Sequence, residues 1–236
     1  MGFDTSALKA LRREPLKWNL LLANLASQSI PVIAPGQAVQ EYWNNHQAFT
    51  AEDANKLQGQ LVGLQKSLAD VGATSTSEHV ETISNALAGL RGDVQGVRDA
   101  QAFLQRSIDA MNELLRTAHV TFVPRLEYTP IGQARLASKV APGYHDAKDK
   151  AYALGDFFVW ADFLLGAMRY GPKLVDSSGQ YGLLVTDDQK SDWRTGRLGQ
   201  PSLTAEFRSA CGLELGIASV KELQATEYFR LLTRRG

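Results

Sequence analysis

The sequence predicts an α/β domain with a mainly parallel sheet, interrupted by a long α-helical hairpin. Three observations predict it. Short apolar runs of strand type alternate with segments of helical spacing, the order expected of β-α-β units. One such run, Gly182-Leu183-Leu184-Val185-Thr186, drives directly into Asp187 and Asp188, which is how a parallel sheet delivers carboxylates to its carboxyl edge. From about Phe49 to Arg116, leucines, isoleucines and valines recur at steps of three and four with no strand signal, the signature of paired helices.

Length and composition narrow the field. With 236 residues the chain buries one sizeable core, and we expect a single domain over 1–236 with the helical insertion at 48–118. Lysine plus arginine (25) balances aspartate plus glutamate (25), so no global field announces a polyanion or a membrane surface, and contacts with either must be local. The single cysteine, Cys211, excludes an internal disulfide and a cysteine-built zinc site and points to a reducing, cytoplasmic setting. Lys9, Arg12, Arg13 and Glu14 follow the first residues at once, and neither a signal peptide nor a membrane-spanning run is expected.

Taken in order, Met1-Gly2-Phe3 is a minimal strand ending at Asp4-Thr5-Ser6, and Leu8, Leu11, Leu16, Leu20 and Leu21 then follow helical spacing, broken near Pro15. Ile30 to Ala34 is a second strand, and Pro35 opens a helix that carries Glu41 in its second turn. In the insertion, Leu57, Leu61, Leu64, Leu68 and Val71 form one arm and Val80, Ile83, Leu87, Leu90, Val94 and Val97 the other, with a turn at 72–78 in which Ser77 caps the second arm. Leu104, Ile108, Met111 and Leu115 continue the stripe, so the second arm either runs over thirty residues or breaks near Gly89, Gly92 and Gly96. Val120 to Val123 is a further strand, and Pro124 to Pro142 reads as irregular. Residues 142 to 150 form a polar loop of mixed charge. Gly155 to Leu165 opens a strongly apolar helix with Asp156 in its first turn. After the strand at 182–186 and a loop at 194–201, Ser202 or Thr204 caps a helix that runs through Cys211 and stops at Gly212. A last strand at 213–217 leads to Ser219, with Glu222 three residues on.

Four acids, Asp4, Glu41, Asp156 and Asp188, lie at a strand end or a helix start, and in a parallel sheet those ends gather on one side. Clustered carboxylates need neutralising, and hard divalent cations do this through oxygen ligands. The chemistry suited to such a site is phosphodiester hydrolysis, in which metal ions activate water and stabilise the leaving oxygen. It requires the four carboxylates to meet in one crevice. A phosphate-bearing substrate would find its cations locally, in Arg135, Lys139, Lys148, Lys150, Lys190 and Arg194, with Tyr144 as an aromatic contact.

These residues resemble those of the PIN-domain nucleases, and in particular the PIN-like branch with a helical insertion known as DUF4935. Asp4-Thr5-Ser6 is similar to the family's Asp-Thr-Asn opening, with Ser6 at the asparagine position. Val32 to Tyr42 resembles the segment ending in its conserved glutamate, and Pro142-Gly143-Tyr144 followed by Gly155 to Trp160 resembles its loop and the helix of its third acid. Val185-Thr186-Asp187-Asp188, with the later Asp192-Trp193, is the most specific match. The resemblance implies a three-layer α/β/α, Rossmann-like sandwich with a five-stranded, mainly parallel sheet. It also implies a magnesium- or manganese-dependent endoribonuclease, with RNA, or DNA, as partner. Asp4, Glu41, Asp156 and Asp188 would be catalytic and would ligate the metal, with Asp187 a further metal ligand. Thr5, Ser6, Thr186 and Asp192 would support them.

The alternative is a catalytically inactive PIN-like module that binds nucleic acid or assembles, with a second copy or a protein partner, through the insertion. Other chemistries lack their motifs. A haloacid-dehalogenase-type phosphatase needs a second aspartate where Ser6 stands, and no phosphate-binding or dinucleotide-binding glycine loop is present. A serine hydrolase would need a nucleophile elbow that this chain does not have. His46, His79, His119 and His145 stand singly, without zinc spacing.

Overall fold

The computed structural model describes residues 1–11, 13–72, 78–98, 101–145, 153–171, 181–195 and 198–226. The chain opens with β1 (Gly2–Phe3), α1 (Thr5–Leu11), α2 (Pro15–Ser27) and β2 (Ile33–Pro35). The helices α3 (Gly36–Gly72), α4 (Glu78–Arg98) and α5 (Gln101–Thr117) follow, and then β3 (His119–Thr121), α6 (Arg125–Ala137), α7 (Gly155–Tyr170) and β4 (Tyr181–Val185). A small ribbon, β5 (Arg194–Thr195) with β6 (Leu198–Gly199), precedes α8 (Pro201–Cys211), β7 (Glu214–Ala218) and α9 (Val220–Ala225).

Two compact units result, one of Met1–Trp43 with Ala110–Gly236 and one of Asn44–Asp109. In the first, five parallel strands pair in the order β3-β2-β1-β4-β7. The chain runs outward from β1 to β3 and returns to β4 on the other side of β1, so the topological switch point lies between β1 and β4. In an open parallel sheet, that is where a crevice opens beyond the carboxyl ends.

Alternation along β1 explains the layering. A Cβ on Gly2 would lie 2.4 Å from the Phe163 ring of α7, and one on Gly182 in β4 would lie 2.2 Å from the Phe207 ring of α8. Only glycine lets these helices press so closely on that face, where Phe163 and Phe207 stack at 5.6 Å. The next residue, Phe3, points the other way and meets Trp18 of α2 edge-on at 4.9 Å. Leu21, Leu22 and Leu25 are fully buried beside Trp18 on the same helix. Helices therefore cover both faces of the sheet, giving a three-layer α/β/α architecture.

A buried carboxylate fixes the entry to α3. Asp162, fully buried on α7, accepts the Gln37 N–H at the start of α3 (2.9 Å) and the Val123 N–H (2.7 Å). It also takes both arms of the Arg125 guanidinium, at 2.9 and 2.8 Å. A negative charge at a helix N-terminus is favourable, and here a cation balances it as well.

Several elements differ from expectation. Residues 125 to 137 form helix α6 rather than an irregular stretch: Pro124 takes the cap position, and Gly132 admits the Phe157 ring, 2.5 Å from where a Cβ would sit. Gln200, not Ser202 or Thr204, caps α8, its side-chain oxygen accepting from the Ser202 and Leu203 N–H groups. The helix begun at Gly36 continues without interruption to Gly72, and α4 runs unbroken through Gly89, Gly92 and Gly96. Ser77 and most of the predicted turn lie outside the described residues. The second unit takes α3 from Asn44 to its end, all of α4 and the start of α5. Of its apolar stripe Leu61 is buried, while Leu64, Ile83 and Leu90 are exposed. Among the described residues no helix is long and apolar enough to cross a membrane.

Asp162→Ala strands two backbone donors and a guanidinium, and is expected to lower the unfolding free energy by about 3 kcal/mol. Urea denaturation reads this directly, and a loss below about 1 kcal/mol would mean that the Asp162 network does not hold α3.

Candidate active site

Asp4 begins the site because β1 ends one residue before it. Its N–H continues the sheet by donating to Val185 O at 3.0 Å, which sets its side chain at the switch point. Oδ1 accepts from the Ala7 N–H in the first turn of α1 and from the Ser6 hydroxyl, both at 2.8 Å. Oδ2 accepts from the Thr186 hydroxyl at 2.5 Å. The same two hydroxyls then act as acceptors. Ser6 Oγ takes the Asp187 N–H at 2.7 Å, and Thr186 Oγ1 takes the Asp188 N–H at 3.0 Å. The acidic pair after β4 is thus tied to Asp4 by two side-chain bridges.

Burial pushes the Asp4 carboxyl up to about 6. The Thr186, Ala7 and Ser6 hydrogen bonds pull the other way, while the charge of Asp156 adds to the rise.

Glu41 arrives from the second turn of α3. Its Oε2 accepts from Thr5 Oγ1 at 2.7 Å and its Oε1 from Gln37 Nε2 at 2.9 Å. Gly155, the first residue of α7, makes room for it, since a Cβ there would lie 2.8 Å from Glu41 Oε1. Asp156 follows in the first turn of α7. Asp188 closes a turn by accepting the Lys190 N–H on Oδ1 at 2.9 Å. The Lys190 ammonium lies 2.7 Å from Asp188 Oδ2 and 3.2 Å from Asp156 Oδ2.

Asp4, Glu41, Asp156 and Asp188 line one cavity of about 200 Å³, together with Asp187, Thr5, Ser6, Lys190, Val159 and Trp193. Among the described residues, however, no three His, Cys, Asp or Glu side chains form a ready cage for an ion. The chemistry of the donors does fit a hard divalent cation, which takes one or two carboxylates and completes its shell with water. Asp156 and Asp188 already converge on a single cation, the Lys190 ammonium.

Other expected residues take different places. Asp187 lines the cavity, but its Oδ1 accepts the Val220 N–H at the start of α9 (2.9 Å). Asp192 is fully buried, and its Oδ2 accepts from the Gly143 and His145 N–H groups at 2.8 and 3.3 Å. It holds that loop beside Asp156; a Cβ on Gly143, whose φ of +95° favours glycine, would stand 3.3 Å from Asp156 Cβ. Tyr144 packs on His145 at 4.5 Å, and His145 Nε2 meets Ser191 Oγ at 2.9 Å.

The expected substrate cations divide. Arg135 makes a two-armed pair with Glu206 at 2.8 and 2.9 Å and donates to Ala141 O. Arg194 is buried against Glu222 and Gln189. The Glu222 carboxyl is held down to about 2 by the Ser219 N–H and then by Arg194. Arg135 and Arg194, expected as substrate contacts, are thus each met by a carboxylate within the fold. Lys139 is exposed at the end of α6 with a φ of 54°. Lys148 and Lys150 lie outside the described residues. Sequence reasoning missed Gln37 and Asp162 as positioning residues. Gln37 stands four residues before Glu41, the spacing of helix neighbours, and Asp162 is a carboxylate flanked by the apolar Trp160, Ala161, Phe163 and Leu164 of α7.

Compared with known proteins, residues 3–203 match the family model described as a PIN like domain; the match does not single out the DUF4935 branch. No curated protein and no solved structure matches the chain.

Asp4 gives a pH test. Its folded-state value of about 6 lies above the ordinary carboxylate value of 3.8. The folded protein therefore keeps a proton that the unfolded chain releases, and this contribution is complete below pH 4 and lost as pH rises through 6. The loss is on the order of 2–3 kcal/mol. Denaturation of the wild type and Asp4→Asn from pH 4 to 7 is expected to show the variant gaining on the wild type across that window. A pH-independent difference would show that burial does not strain the carboxylate.

Proposed function

The chain belongs to the PIN-like domain family, and from that premise we propose that it is a metal-dependent nuclease, an endoribonuclease that hydrolyses RNA phosphodiester bonds. PIN-like domains are nuclease-type folds whose members typically use divalent metals and bind nucleic acid. The single observation that carries the proposal is the convergence of Asp4, Glu41, Asp156 and Asp188 on one cavity at the switch point of the sheet.

Asp156 and Asp188 would hold magnesium or manganese, with Asp4 and Glu41 completing the acidic wall and Asp187 at its edge. The ion, when bound, would supply an activated water and Lewis-acid stabilisation of the phosphate oxygens. The protein's part is positional. Thr186 and Ser6 fix both the Asp4 carboxylate and the backbone of the acidic pair, and Thr5 with Gln37 orients Glu41. Tyr144 and Lys139 would contact the nucleic acid, in the cytoplasm, the setting that the single cysteine favours.

A second possibility is favoured by one observation: Lys190 stands where a metal would be expected, and no three-acid cage is formed among the described residues. The chain would then be an inactive nucleic-acid-binding or interaction module, assembling through α3 to α5.

Asp188→Asn is expected to lower magnesium- or manganese-dependent cleavage of RNA by more than about 100-fold while the protein remains folded. The assay offers RNA and DNA with magnesium, manganese or chelator, and circular dichroism reports folding. Unchanged cleavage by Asp188→Asn would sink the site assignment. No cleavage by the wild type with either metal, alongside assembly that survives Asp4→Asn and Asp156→Asn, would establish the inactive module.

A further inference from the structure

The Lys190 ammonium sits inside the acidic wall. Among the described residues that line the cavity, Asp4, Glu41, Asp156, Asp187 and Asp188 are acidic and Lys190 is basic. Like charges gathered in this way repel unless a counter-charge offsets them. Nζ provides one, 2.7 Å from Asp188 and 3.2 Å from Asp156. The side chains of Lys190, Asp156 and Asp188 are only 27, 27 and 19% exposed, so solvent screens the attraction incompletely.

Two features suit this ammonium to a displaceable role. The turn closed by the Lys190 N–H on Asp188 Oδ1 fixes where the side chain begins, so the charge is supplied by the chain itself. Beyond that anchor, the four-carbon stem is flexible and the head is a compact point charge. A divalent ion held by Asp156 and Asp188 would take the same carboxylate oxygens that the ammonium contacts, and the two cations would compete for them.

We propose that Lys190 is an intramolecular counterion that competes with a divalent cation for the seat between Asp156 and Asp188, and so sets the metal concentration that the site requires. The proposal rests on the nuclease assignment of this cavity. It moves Lys190 from a substrate contact to a residue that tunes occupancy of the acidic wall.

The test is manganese binding by calorimetry to the full chain, stripped with chelator and free of nucleic acid. Wild type, Lys190→Met, Lys190→Gln, Lys190→Arg and Asp188→Asn are compared, with thermal melting as a second readout. Removing the competing charge is expected to tighten manganese binding by roughly three- to tenfold. Lys190→Met and Lys190→Gln should also melt lower than wild type in chelator and gain more from added manganese, while Lys190→Arg stays near wild type. Equal affinity in wild type and both neutral variants, with binding lost in Asp188→Asn, would overturn the role of Lys190 and leave the metal site standing. Manganese binding of wild-type strength in Asp188→Asn would overturn the location. Absence of binding in every chain would overturn the metal site and this proposal together.

Discussion

The carboxylate of Asp4 is the constraint on which the site depends. It is buried at the end of the central strand, and its oxygens accept from three groups in two distant parts of the chain: the Ala7 N–H, the Ser6 hydroxyl and the Thr186 hydroxyl. Because both hydroxyls also accept the N–H groups of Asp187 and Asp188, a change at Asp4 reaches the acidic pair through one atom. Desolvation raises the carboxyl towards neutrality, and the same hydrogen bonds favour its charged form. Such opposition is what the proposed metal chemistry would ask of a carboxylate at this place.

Asp162 does for α3 and α7 what Asp4 does for β1 and β4. By accepting the Gln37 N–H it fixes the first turn of α3, and Gln37 in turn orients Glu41 one turn later. Gly155 lets that carboxylate reach the start of α7, next to Asp156. Two buried carboxylates with different partners thus bring four acids from separate segments to one wall. Asp162 is balanced by Arg125, whereas the wall itself draws its cation from Lys190. This difference in compensation separates Asp162 from the acids of the proposed site, although Asp162 and Asp156 both lie on α7.

Much of the fold was legible because it rests on local patterns. The strand running into Asp187 and Asp188, the helix break before Pro15, the end at Gly212 and the capping of the last helix by Ser219 with Glu222 each follow from neighbouring residues. The segment around α6 was not legible, because Pro124, Pro130 and Gly132 are poor helix residues by themselves. Their acceptability comes from partners far along the chain: Phe157 fills the space beside Gly132, and Arg125 is drawn to Asp162. The cap of α8 was misplaced by two residues or more because glutamine is an uncommon cap, and its side chain here folds back on its own turn.

The sequence by itself determined the α/β class, the helical insertion and the identity of the acids at strand ends and helix starts, since periodicity and residue type are local properties. Only the tertiary structure decided what those acids meet. It spent Arg135 and Arg194 on Glu206 and Glu222 and turned Asp192 to the Gly143 loop. It also set the Lys190 ammonium between Asp156 and Asp188. The physical reason is that a charge finds its partner by distance in space, and spacing along the chain carries that information only within a turn or two.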